Sequence, residues 1–308
     1  VASQTVTVKA GKGRILSHWA EPQAGRPTLK RRHGSVVYTI SAEDGRNLEE
    51  VAFGVHFEHL APFATFRRVV REVSLSHWGP AAVEDHYELA NDAAPLRVGF
   101  SRADMQMRRW GGASVRRLTA ALPAEATQVR FRDVLGNISS SNLRAGEHGL
   151  ELVTNQRFPL LGGWRSAFHH TYSLPPGALI ARNTTSGSFV LRMGAHAPCR
   201  EPVVDSLELR LVLPEGAVVR SVSTSPIMAM RRLADRRRVT LLDSPLVGRT
   251  VVVLSAADLA PQQAGDVTVV YDMPPRSWAR EPLLAASACL MSLLVAWAAA
   301  AAVSRRCV

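Results

Sequence analysis

The sequence predicts a mainly β protein: an antiparallel β-sandwich ectodomain on a single C-terminal transmembrane α-helix. Three observations carry that expectation. Leu283 to Val303 is a run of 21 residues without a formal charge, closed by Arg305 and Arg306. Apolar and polar residues alternate with period two through much of the rest. Pro159, Pro175, Pro214, Pro226 and Pro245 fall between or at the ends of those runs, where a missing donor does little harm.

The apolar run comes first in weight. As an α-helix its 21 residues span about 31 Å, close to the roughly 30 Å hydrocarbon thickness of a bilayer. Ser287 and Ser292 carry its only hydroxyls, and a helix can take those protons on its own i−4 carbonyls. A buried helix of a large soluble domain is the alternative, and the length without charge weighs against it. Arg305 and Arg306 place the C-terminus in the cytosol under the positive-inside rule. Arg276 and Arg280 weaken that asymmetry, with Glu281 offsetting one of them, while Trp278 and Trp297 suit the two interfaces. Val1 to Lys12 is polar and alternating, unlike a signal peptide. Export of the long segment before the span needs such a signal, so the expectation is a processed chain or the later part of a longer one.

Residues 1–65, rich in Gly, Arg and Pro, read as the partial end of a preceding β domain, with strands at Val36 to Ile40 and Val51 to Phe57. Residues 66–273 read as the sandwich. Its strands run from Phe66 to Ser76, then through Val83, Asp85, Tyr87 and Leu89, which share one face opposite Glu84, His86 and Glu88. Gln128 to Asp133, Gly149 to Thr154, Leu207 to Leu213, Val218 to Ser223, Val239 to Leu242, Thr250 to Leu254 and Val267 to Tyr271 follow. A long insert is expected around Ala94 to Ala121, and one or two helical turns at Leu118 to Ala126. Leu213-Pro214-Glu215-Gly216 reads as a turn. Residues 274–281 form a juxtamembrane linker stiffened by Pro274-Pro275, 282–303 the membrane helix, and 304–308 a cytosolic stub.

Composition narrows the function classes. The formal charge is +11, and only three basic residues are Lys. The Arg clusters (Lys30-Arg31-Arg32, Arg116-Arg117, Arg231-Arg232, Arg236 to Arg238) are scattered and lack interleaved aromatics, which argues against direct nucleic-acid binding. A basic ectodomain suits anionic headgroups or acidic partner surfaces instead. Cys289 and Cys307 lie in or just after the span, leaving Cys199 alone outside, so no disulfide staples the ectodomain.

No catalytic, cofactor or metal constellation emerges. His169 and His170 are strand neighbours and point to opposite faces; His56 and His59 lack a thiolate or an HExxH arrangement. His77 and Asp85 have no nucleophile elbow to serve. Gly11-Lys12-Gly13 is too short for a phosphate loop, and Gly111-Gly112 has no following Lys-Ser/Thr. Asn137-Ile138-Ser139 and Asn183-Thr184-Thr185 are N-glycosylation candidates if the ectodomain is exported. Two aromatic patches, Ser76-His77-Trp78-Gly79 and Arg157-Phe158-Pro159-Leu160-Leu161-Gly162-Gly163-Trp164, fit either core packing or a subunit contact. Their candidates are His77, Trp78, Phe158 and Trp164. Ala286 and Ala299 stand among small residues that permit close approach of another membrane helix.

An ordered series of motifs runs from Val69 to Gly79 and Ala82-Val83-Glu84 to Phe131-Arg132-Asp133-Val134-Leu135-Gly136-Asn137-Ile138-Ser139. Arg157 to Trp164, Tyr172-Ser173-Leu174-Pro175, Val204 to Leu207, Leu213 to Gly216 and Glu281-Pro282-Leu283-Leu284 continue it. Together they resemble the ribophorin I family, non-catalytic subunits of the oligosaccharyltransferase complex. The resemblance implies a lumenal β-rich region in two parts, one membrane helix and a cytosolic domain, in the endoplasmic reticulum membrane with type I topology. It implies partners among the other oligosaccharyltransferase subunits, including the multispanning catalytic one, with the translocon, membrane lipid and, through cytosolic parts beyond this sequence, the ribosome. It also makes Asn137 a family sequon, whereas Asn183 has no family counterpart. Much of the first lumenal domain and the cytosolic domain are not represented. A self-standing type I receptor or adhesion ectodomain is the competing reading.

Overall fold

A computed structural model of the chain describes residues 3–9, 14–20, 30–32, 35–41, 53–58, 61–96, 99–107, 113–146, 149–199, 201–240, 243 and 248–306. His59, Cys307 and the two short glycine runs lie outside these. The chain divides into two compact units: Val1–Pro62 with Leu96–Ser114, and Phe63–Pro95 with Val115–Val308.

The first unit holds β1 (Ser3–Lys9), β2 (Arg14–Ala20), β3 (Lys30–Arg32), β4 (Ser35–Ser41), β5 (Phe53–Glu58) and α1 (Arg102–Gln106). The central β4 pairs antiparallel with both β1 and β3, and β2 pairs with β5.

The second unit begins with β6 (Ala64–Ser74) and β7 (Ala81–Asn91). Then come β8 (Val115–Leu122), β9 (Thr127–Asp133), β10 (Gly136–Asn137), β11 (Asn142–Gly146), β12 (Gly149–Leu160) and β13 (Arg165–Leu174). A short α2 (Pro176–Leu179) leads into β14 (Ile180–Arg182), β15 (Phe189–Gly194), β16 (Val203–Val212) and β17 (Val218–Thr224). The chain ends with β18 (Arg231–Arg232), β19 (Arg236–Arg238), β20 (Arg249–Leu259), β21 (Asp266–Asp272), α3 (Pro275–Trp278) and α4 (Arg280–Arg306). Nine strands form one sheet in the order β10-β9-β13-β7-β6-β16-β20-β18, with β19 also on β20; β11-β12-β8 and β14-β15-β21-β17 form two smaller sheets.

Alternation sets which face of each strand turns inward. In β7 the residues Ala81, Val83, Asp85, Tyr87 and Leu89 are buried while Ala82, His86 and Glu88 are exposed, as the sequence expects. One continuous apolar core draws on all three sheets, with Phe66, Val69, Leu207 and Leu209 from the large sheet, Leu118 and Leu152 from one small sheet, and Leu191, Val269 and Tyr271 from the other.

Four expectations are corrected. The large sheet is not wholly antiparallel: β16 pairs parallel with β6, from Val203↔Thr65 to Val212↔Ser74. A parallel pair needs a long crossover, and the segment between β6 and β16 supplies it, carrying β8, β11 and β12 of one small sheet and β14 and β15 of the other. Leu118 to Ala126 forms no helix: its first part lies in β8, where Leu118, Ala120 and Leu122 enter the core by strand periodicity. Arg236–Arg238 is strand instead of Val239 and Thr240, because these three pair with the edge of β20. Ser287 and Ser292 return their protons to the i−3 carbonyls of Leu284 and Cys289, at 2.8 and 2.7 Å.

Asp85 sits on the apolar face of β7 and is fully buried, as is His170 opposite it on β13. A charge there must be paired. The Asp85 carboxylate meets His170 Nε2 at 3.0 Å and lies 3.6 Å from Arg71 Nε. Arg71 donates to Tyr172 Oη at 2.9 Å and to the His196 carbonyl at 2.8 Å. Burial opposes ionisation of Asp85, but the Arg71 guanidinium and His170 overcome it and hold the carboxyl below its usual range. Burial pushes the Tyr172 phenol up to about 12.

Replacing Asp85 with Ala leaves Arg71 buried and uncompensated, so we expect destabilisation of about 3–5 kcal/mol, read from thermal unfolding in detergent. Because the native Asp85 carboxyl titrates below its unfolded value, its stabilisation is present above about pH 4 and is lost as pH falls through the native value. The Asp85→Ala chain should therefore lose this part of the acid sensitivity.

Candidate functional site: the membrane-proximal end and the distal hairpin

The last helix sets the site. Within α4, Pro282–Ala300 is long and apolar enough to cross a membrane, and none of it is buried against the rest of the protein. Leu283, Leu290, Leu293 and Trp297 all stand open, Trp297 at 72%. A soluble core helix would have these side chains covered, which removes the alternative weighed against the span. Ala286 and Ala299 are exposed on the same helix.

An aromatic cluster fastens the start of this helix to the sheets. Trp278 ends α3, two residues before α4, and packs against the core. Its indole stacks on His77 with centroids 5.0 Å apart, and His77 lies 4.6 Å from the Phe189 ring. Tyr271 Oη and His77 Nε2 approach to 3.3 Å, while Trp78 meets Trp278 edge-on at 6.2 Å. Arg280 Nη1 pairs with the buried Glu215 at 3.2 Å. Gly216 is required beside it: its φ is +78°, and a Cβ there would lie 2.2 Å from Ser277 Oγ.

Thus His77 is half-buried and part of the fastening, whereas Trp78 is 59% exposed and does not fill the core. Phe158 and Trp164, at 64% and 38%, are also exposed. In the second patch Gly162 lets the backbone pass close to β7's end, since a Cβ would lie 2.1 Å from the Ala94 carbonyl oxygen. Arg157 Nε donates to Asp133 Oδ2 at 2.6 Å, which ties its strand to the β9–β10 hairpin, whose tip residues Val134 and Leu135 are among the most exposed apolar side chains described. Hydrogen bonding to Arg157 is the main cause holding the Asp133 carboxyl below its usual range. Asn137 follows that tip and is exposed, with Ile138 buried beneath it. Asn183 is exposed in the turn between β14 and β15, where its Oδ1 accepts from the Thr185 amide at 2.9 Å.

The structure brings His77, Trp78 and the start of the membrane helix together, and ties Arg157, the residue before Phe158, to the Asn137 hairpin. Sequence reasoning missed Phe189, Tyr271 and the Glu215–Arg280 pair, which meet only when β15, β21 and the 213–217 turn converge. Cys199 is buried, and burial pushes its thiol up, so it is no nucleophile. No group of three or more His, Cys, Asp or Glu gathers into a metal site among the described residues.

Burial holds the His77 imidazole below its ordinary value, so the fastening favours the neutral ring. Its contribution is present above about pH 6.5 and is lost as pH falls through the lower native value. Proteolysis around Pro274–Arg276 should therefore be faster at pH 5 than at pH 7.5, and the difference should shrink in His77→Phe.

The sequence matches the Ribophorin I family over residues 1–300. It is 32% identical over 290 residues to the dolichyl-diphosphooligosaccharide–protein glycosyltransferase subunit 1B of Arabidopsis thaliana, covering 94% of this chain and 60% of that relative. It is 30% identical to subunit 1A of the same plant, covering 92% of this chain and 44% of that one. The subunit 1 of Caenorhabditis elegans is 33% identical over 235 residues, covering 76% of this chain and 39% of that protein. The chain therefore spans about half the length of the curated relatives it matches. With the motif series from Val69 to Leu284 inside the matched range, and one apolar helix at its end, the chain belongs to the ribophorin I family.

Proposed function

We propose that this chain is a non-catalytic accessory subunit of the oligosaccharyltransferase complex, anchored in the endoplasmic reticulum membrane by α4 with its sheets in the lumen. Family membership supports the assignment, and relatives that bear the name of a glycosyltransferase subunit agree with it. The observation that carries it is the uncovered apolar helix joined to a β-rich unit: a body built to be held at a membrane. Its work on this reading is scaffolding. The three sheets of the second unit stack as a sandwich around their common core, residues 66–273 act as the main lumenal domain, and residues 1–65 belong to a preceding one. The small residues of α4, Ala286 near its start and Ala299 about 140° around the axis from it, pack beside membrane helices of other subunits, including the multispanning catalytic one. The exposed Val134, Leu135 and Phe158 offer a lumenal contact for a subunit, the translocon or a substrate chain, while ribosome contact falls to cytosolic parts of the longer relatives. Asn137 carries a glycan in this arrangement, and Asn183 is the second acceptor candidate.

Replacing Ala286 and Ala299 with Leu in the membrane-anchored chain should lower recovery of the catalytic subunit severalfold on affinity purification from gently solubilised membranes. Unchanged recovery sinks the helix contact. Recovery of no glycosyltransferase subunit with the native chain favours a self-standing receptor or adhesion ectodomain.

A further inference from the structure

The strand directions of the second unit send one set of connections to the end from which the membrane helix leaves. The last strand, β21, runs toward α4. Its neighbour β15 is antiparallel, pairing Phe189 with Tyr271, so the turn between β14 and β15 lies at that same end. β17 pairs Val218 with Asp272, which puts the 213–217 turn there too. The turn holding Trp78 joins this group through the ring contacts of His77 with Phe189 and Trp278. None of these placements is visible in sequence order.

Distances then set the depth. Trp278 stands four residues ahead of Pro282, the first residue of the membrane-crossing stretch, which is about 6 Å of helical rise. The polar layer of a bilayer adds roughly 5–7 Å on each side of the hydrocarbon. The Trp78 ring, 59% exposed, stands 6.2 Å from that of Trp278, within reach of this layer. Arg182 belongs to the same end of the sheets through Phe189: its guanidinium carbon stands 5.9 Å from the Phe189 centroid, and Phe189 is 5.8 Å from Trp278. The turn that follows, Asn183 to Gly187, is wholly exposed and carries hydroxyls. Trp is the residue that gains most at a bilayer interface, and Arg complements phosphate there.

We propose that Trp78, Arg182 and the 183–187 turn form a second membrane contact, discontinuous in sequence from α4, that rests on phospholipid headgroups of the leaflet where α4 begins and leaves the Asn183 candidate without a glycan. The partner is the headgroup layer itself. Continuity with the spanning helix and the pairing of an open indole with a cation argue for lipid over a protein groove. With one anchor, a body on a helix can tilt; with two, its orientation to the bilayer is fixed. This inference rests on α4 crossing the membrane, and a chain stripped from vesicles by alkaline carbonate fails at that earlier step.

The test uses the full chain reconstituted in vesicles of phosphatidylcholine and phosphatidylserine, with the phosphatidylcholine brominated close to the glycerol. Trp78, Trp278 and Trp297 are the tryptophans expected near the bilayer, so Trp78→Phe should remove about a third of the fluorescence quenched by bromolipid. Ser186→Trp, in the exposed turn and outside the Asn183 sequon, should add a comparable quenched component, and it serves should the first variant fail to fold. Both results together support the contact. Unchanged bromolipid quenching in Trp78→Phe, with Trp78 quenched instead by aqueous iodide, overturns it and assigns the open indole to a protein neighbour. An added indole in Ser186→Trp that iodide quenches and bromolipid does not overturns it as well.

Discussion

An apolar helix that no part of the protein covers is the constraint on which the rest of the structure depends. The face of α4 between Leu283 and Trp297 is open to its surroundings. In water, each fully exposed Leu or Met there forgoes roughly 1.5–3 kcal/mol of burial. Lipid removes that cost without asking the sheets to fold over the helix. The sheets are free to close around their own core, and the one place where they must answer to the helix is its first turn.

That answer is aromatic and local. His77, Phe189, Tyr271 and Trp278 come from four separate stretches of chain, and their rings meet within about one ring diameter of one another. The buried Glu215 takes Arg280 at the head of α4, and Gly216 leaves room for Ser277. Deeper in the same unit, Asp85, Arg71, His170 and Tyr172 hold β6, β7 and β13 in one register through polar contacts that admit little slippage. A one-residue slip of β7 would send Asp85 to the outer face and strand Arg71 in the core. The rigidity that a scaffold needs is thus supplied from two levels, a charged pin inside the sheets and an aromatic fastening at their edge.

Much of this was legible in the sequence, for physical reasons that also mark where legibility ended. Period-two burial announced β7, β16 and β21 directly, and the uncharged run announced α4. Asp85 on an otherwise apolar face was a readable sign of a buried pair, but its partners lie far away in sequence, Arg71 on β6 and His170 on β13. Periodicity says which face is inward and nothing about which strands adjoin, so the parallel β6–β16 pair was invisible. Leu118 to Ala126 misled because Leu118 and Leu122 also satisfy helical spacing. Trp78 and Trp164 were ambiguous for a related reason: a large aromatic beside glycine suits core and interface alike, and only exposure separates them.

Everything above requires that α4 lie in lipid with the sheets on the lumenal side. Expressing the chain behind a cleavable signal in sealed microsomes and adding protease outside tests it most directly. The prediction is that the segment from residue 63 to α4 survives and stays with the membranes through alkaline carbonate, becoming digestible only when detergent opens the vesicles. Digestion of that segment in intact vesicles, or its release by carbonate, contradicts the account.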